Sequence, residues 1–169
     1  MRLRKTFMVA VCVAVAFTIL FTLSPVWAAE FAYDKGPVFS VTYPDGWKAS
    51  DDNPDNVLLV TKMNGSLPIM NVDAASIPEG VPLKDWNATS YKEALEKSQE
   101  TEAEVKENEA ITLPCGTPAN MSLISWSYQG FMPLLTRVVS AYKDGKAVSV
   151  SVHSAGDDNP EVPQSLKFK

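Results

Sequence analysis

The sequence predicts an α+β fold: a single domain, mainly antiparallel β-sheet, with one main helix packed on one face. Three observations carry this. The second half of the chain is a succession of alternating segments divided by tight-turn signals. Only one stretch, opening at Pro82, has a helical period. The first 28 residues read as a leader and not as part of the fold.

The leader opens on the basic "MRLRK", runs without charge from Phe7 to Leu23, and exits through "SPVWAAE". Val26 and Ala28 supply small side chains at the two positions a signal peptidase reads, so cleavage is expected between Ala28 and Ala29. An uncleaved anchor is the alternative, because the apolar run approaches the length of a spanning helix. Cys12 lies inside that run, which argues against a lipoprotein signal. The expected organisation is residues 1–28 leader, 29–37 linker and 38–169 the domain.

Along the domain, Phe39, Val41 and Tyr43 alternate with Ser40 and Thr42, a half-buried strand. Tyr43-Pro44-Asp45-Gly46 carries proline second and glycine fourth, the preference of a type I turn. Trp47 follows, large enough to close a sheet end, so Pro44, Gly46 and Trp47 are expected to be structural anchors. On that reading Trp47→Ala costs about 3–5 kcal/mol. "VLLVTK" and "IMNVDAA" flank Asn64-Gly65, a strong hairpin signal. From Pro82 to about Glu100, Leu83, Trp86, Tyr91, Ala94, Leu95 and Ser98 form the helical stripe. The acidic "ETEAEVKENE" beyond it reads as a solvated helix end or an edge strand. Trp126 falls in a central strand, and both Trp86 and Trp126 are expected in the core. Gly130 and Asp144-Gly145 mark two further reversals. In the last long strand Val148, Val150 and Val152 share one face, and Ser149, Ser151 and His153 the other.

Composition excludes several function classes. The chain carries a formal charge of -5, and losing Arg2, Arg4 and Lys5 with the leader would leave -8. Arg137 would then be the sole arginine, so neither nucleic acid nor an anionic membrane surface is an expected partner. Membrane contact is expected only through an uncleaved leader. Cys115 would be the sole cysteine, which leaves no internal disulfide. In the turn-like "LPCGTP" it is expected as a small buried hydrophobe. No nucleophile elbow, zinc-protease motif or phosphate loop is present, and no ligand spacing fits a metal or cofactor. Asn64, Asn87 and Asn120 open formal glycosylation sequons, relevant only to a eukaryotic source.

Taken in order, "FSVTYPDGWK", a helix, "ITLPCGTPANMSLISW", the "YKDGKAVSVSVHS" hairpin and a terminal "SLKF" resemble the Mog1/PsbP-like superfamily, whose bacterial branch includes DcrB-like and DUF1795 envelope proteins. The resemblance spans most of residues 38–168. It implies an antiparallel sheet sandwiched by helices, a recurring Tyr-Pro-x-Gly-Trp corner, and accessory or assembly factors in place of catalysts. One departure stands out. A helix is usual before "SLKF", and here the interval is "AGDDNPEVPQ", so that C-terminal helix is expected to be reduced or missing.

The candidate interaction surface is therefore the polar sheet face: Asn71, Asp73, Ser149, Ser151 and His153, joined by Arg137 from a neighbouring strand. Arg137 equally suits a structural ion pair. The expected function is that of an exported, periplasmic or extracellular, non-enzymatic factor that contacts an envelope protein. A binding module for a small apolar or amphipathic ligand between sheet and helix is the alternative. A thiol-dependent enzyme using Cys115 and His153 is a third reading, and it requires those two side chains to meet.

Overall fold

A computed structural model of the chain describes residues 29–35, 37–52, 57–62, 66–77, 81–99, 101–156 and 161–169. The leader, with Ala28 on its side of the expected cleavage point, lies outside the described residues, as does the Asn64-Gly65 turn. The strands are β1 (Ala29–Tyr33), β2 (Phe39–Tyr43), β3 (Trp47–Ser50), β4 (Leu58–Lys62), β5 (Ile69–Ala75), β6 (Glu104–Thr112), β7 (Pro118–Tyr128), β8 (Met132–Lys143), β9 (Lys146–Ser154) and β10 (Lys167–Phe168). The helices are α1 (Leu83–Gln99), between β5 and β6, and the single-turn α2 (Glu161–Gln164), before β10. As expected, the C-terminal helix is cut to a turn.

Every strand pairing is antiparallel. Seven strands form the main sheet in the order β3-β4-β5-β9-β8-β7-β6, and a small second sheet has the order β1-β2-β10. β6 is the acidic edge strand, while α1 carries the chain from β5 across to it. The stretch 29–37, expected as a linker, contains β1, which pairs along its whole length with β2. "AEFAY" is too short to declare itself alone, and its strand character comes from the partner.

The alternation in β5, β7, β8 and β9 divides the main sheet into two unlike faces. Met70, Val72, Met121, Val139, Val148 and Val150 point to one side, where they pack with Phe39 and Val41 of β2 and with Val162 and Leu166 around α2. This is the principal core, and it is covered by the small sheet. The helix covers the opposite, polar face, the one expected to serve as an interaction surface. Its buried residues are Asn87, Ala88 and Leu95, while Ala94 and Ser98 face solvent and Trp86 is half-buried. The contacting stripe is thus rotated toward Asn87, because the surface beneath it offers hydroxyls. A smaller apolar cluster of Leu95, Ile124, Trp126, Leu134 and Val138 holds the other end of the helix.

The Pro-Asp-Gly corner carries the chain from the small sheet to the large one. The turn lies one residue later than the sequence suggests: the Trp47 amide donates to the Pro44 carbonyl at 3.4 Å, and Gly46 has φ +80°. Positive φ at the second central position is the type II pattern, for which glycine is suited. Trp47 packs on the principal core but is only partly buried. A Trp47→Ala change is accordingly expected to cost about 2 kcal/mol, below the range for a fully buried tryptophan. Urea unfolding measures this directly, and an unshifted midpoint would remove Trp47 from the structural set. Asp144 and Gly145 both have positive φ, as the tight hairpin requires.

Candidate functional site

The strand register places the polar side chains in rows beneath α1. One row runs Asp73, Ser149, Ser140, Asn120; the next runs Asn71, Ser151, Val138, Ser122, Asn108; a third runs Ile69, His153, Thr136, Ile124. The surface therefore grades from hydroxyl and amide groups at one end to apolar groups at the other. α1 matches that gradient with Asn87, Tyr91 and Leu95 at intervals of one turn. Asn87, 0 % exposed, donates from Nδ2 to Ser122 Oγ at 2.9 Å and accepts from the Ser140 hydroxyl. Ser140 also shares a 2.6 Å hydrogen bond with Ser149. The Tyr91 hydroxyl donates to Asp73 Oδ2 at 3.4 Å. Burial of serine and amide groups is tolerable here because they satisfy one another. Ser151 Oγ is the exception, buried with no partner among the described residues.

Of the six residues expected on an open polar face, five share one face, and that face is covered. Ser149 and Ser151 are buried, and Asn71, Asp73 and His153 are partly so. Arg137 lies on the other side of the sheet, because it stands opposite Val152 and not opposite Ser151 or His153. There it reaches across Leu123 to Glu107, with Arg137 Nη1 at 2.6 Å from Glu107 Oε2. The structural ion pair is observed. Asn87 and Asn120 of the sequons are buried, closing both to a glycosylation enzyme in the folded state.

His153 sits where the polar gradient ends. Asn71 Nδ2 donates to His153 Nε2 at 3.0 Å, so Nε2 must be the accepting nitrogen. Nδ1 then carries the proton and donates to Thr136 Oγ1 at 2.8 Å, which also accepts from Trp126 Nε1 at 2.8 Å. Burial lowers the imidazole pKa to about 4, leaving it neutral near pH 7. Burial likewise raises Asp73 to about 6, against a smaller opposing effect of the Tyr91 hydrogen bond. The Tyr91 phenol is pushed up by burial first and by the Asp73 charge second.

Beside His153, where the C-terminal end of α1 meets the sheet, lies a groove of about 360 Å³ with Leu67, Ile69, Leu95, Trp126 and Leu134 on its walls. Trp126 meets His153 edge-on at 6.0 Å and Tyr128 at 6.4 Å. A larger recess of about 710 Å³ lies near the β1 end, with Asp34, Lys35 and Asp51 around Asp73. Among the described residues no group of three His, Cys, Asp or Glu side chains is placed to hold a metal.

Cys115 is exposed at the apex of the β6–β7 turn, not buried as expected; Leu113 takes the core position instead. The Thr117 hydroxyl beside it lowers the thiol from its ordinary value. Cys115 lies beyond the β7 end that pairs near Ala141, whereas His153 pairs with Thr136. Five residues of strand, about 16 Å, separate those levels. The structure does not bring the thiol and the imidazole together.

By sequence, the chain matches no family profile and no curated protein. By structure it is similar to cyanobacterial PsbP (CyanoP) from Synechocystis sp. PCC 6803, with TM-score 0.62 and 16 % identity over 87 % of this chain and 95 % of that one. It is also similar to the Ran-binding protein Mog1p of Saccharomyces cerevisiae, with TM-score 0.58 and 14 % identity over 77 % of this chain and 78 % of that one. The chain has the Mog1/PsbP-like fold. In this version of it, the layer that covers the principal core is a three-stranded sheet with one turn of helix, and α1 rests on a polar surface.

Sequence reasoning missed Asn87, Ser122, Thr136 and Ser140. A signal was present: Asn87, Tyr91 and Leu95 are spaced by four, and Asn120 and Ser122 of β7 and Thr136 and Ser140 of β8 stand at even spacings within apolar runs. No described helix is long and apolar enough to cross a membrane.

Proposed function

We propose that the chain is an exported, non-enzymatic accessory or assembly factor of the cell envelope, working through contact with another protein. The observation that carries this is the tip of the β7–β8 hairpin. Phe131 is 74 % exposed there, with Tyr128 also exposed beside it, held out by the two longest strands of the fold. Exposed aromatic side chains on a rigid support are what protein interfaces use as anchors. The Ran-binding activity of Mog1p supports protein contact as a use of this fold. The leader supports export, and the motif resemblance supports the DcrB-like and DUF1795 branch. Of the polar face, the partly exposed Asn71, Asp73 and His153 remain candidates for contact.

A photoreactive residue at position 131 tests the reading in envelope preparations. A discrete heavier product is expected from position 131 and none from position 144, at the opposite hairpin. Equal labelling from both positions would overturn the assignment of the tip. Export is tested by intact mass: a chain starting at Ala29 is expected, and a full-length chain would refute cleavage.

A further inference from the structure

We propose that the groove between the C-terminal end of α1 and the sheet is a binding site for an uncharged amphipathic small molecule, an apolar body with one neutral hydrogen-bonding end. This goes beyond protein contact at the hairpin tip, with which the groove shares only Tyr128. Its walls are apolar, from Leu67, Ile69, Leu95, Trp126 and Leu134, and the side chains that bring polar groups to it are two carboxamides, Asn71 and Gln99, the ring of His153 and the phenol of Tyr128. None of these carries a charge near neutral pH, since burial holds His153 well below its ordinary value. Among the described residues that line it, a carboxylate or phosphate end would therefore lose its water without meeting a cation, and an ammonium end would meet no anion. A hydroxyl or amide end loses little, because a carboxamide both donates and accepts.

The site is built, not incidental. Both nitrogens of His153 are engaged, to Asn71 at 3.0 Å and Thr136 at 2.8 Å, and Trp126 is tied to the same threonine. These bonds fix the ring planes that face the groove before anything enters it, which lowers the ordering cost of binding. The volume of about 360 Å³ lies at the small end of ligand sites and equals about a dozen waters. That suits a body of about ten carbons.

1-Decanol and decanoate, titrated separately into the full chain at pH 7.5 and followed by NMR, decide the matter. The Trp126 indole N–H and the His153 ring signals report this groove and are blind to binding at the apolar leader. Decanol is expected to shift both saturably, decanoate to bind at least tenfold more weakly, and Ile69→Trp, which fills the groove, to abolish the shift. No saturable shift with decanol, or decanoate binding as tightly, overturns the proposal in the unaltered protein alone. A polypeptide cross-linked from a photoreactive residue at position 99, with no decanol response, would assign the groove to a protein segment instead.

Discussion

Phe39→Ala is expected to lower unfolding stability by about 4 kcal/mol, a large share of the 5–15 kcal/mol typical of a domain. Phe39 is 0 % exposed at the centre of the small sheet, where Tyr33 of β1 and Phe168 of β10 are its register partners. Its ring stacks on Tyr33 with centroids 5.2 Å apart and packs into the same core as Met70, Val72 and Val150. Truncation would open a cavity between two sheets that cannot close without pulling β1 and β10 off the main sheet. The neighbouring Val38, 38 % exposed, is the control: Val38→Ala should change stability by no more than about 0.5 kcal/mol. Urea midpoints of the two variants separate the cases. Equal small shifts would mean that the small sheet contributes little to the core.

Asp73→Asn is expected to stabilise the protein at pH 7 by about 2 kcal/mol and to uncover an acid sensitivity that the parent conceals. Asp73 has its folded pKa raised to about 6 from 3.8, mainly by burial. A raised carboxyl holds its proton more tightly when folded, so stability is lost as the pH rises from about 4 to 6, and asparagine removes that loss. His153 acts with the opposite sign. Its folded pKa is lowered to about 4 from 6.5, so the unfolded chain takes the proton first and stability is lost as the pH falls from 6.5 toward 4. Across that window the two groups oppose each other in the parent, and the profile should be nearly flat. In Asp73→Asn only the histidine contribution remains, and stability should fall steadily from pH 6.5 to 4.5. Stopping at pH 4.5 limits the contribution of the other carboxylates, which protonate mainly below it. A variant whose pH profile parallels the parent's would show that burial of Asp73 is not what shifts it.

Local chemistry made much of this protein legible in its sequence. The Asp144-Gly145 turn, the alternation in β9 and the helix after Pro82 all depend on neighbours within a few residues. What sequence could not decide was which face of the main sheet the helix would cover. Period-two alternation says that two faces differ; it does not say which one is buried. A polar face can be buried when its groups find partners, and here Asn87 meets Ser140 across 53 residues of chain and Ser122 across 35. Those pairings exist only once β7, β8 and β9 are in register, so no window of the sequence contains them. The same register put Arg137 opposite Val152, on the far side from His153, and gave it Glu107. The strand identity of 29–33 was likewise supplied by β2. Local propensity thus determined the elements, and the tertiary structure decided how they are layered, because satisfaction of buried polar groups is settled between elements and not within them.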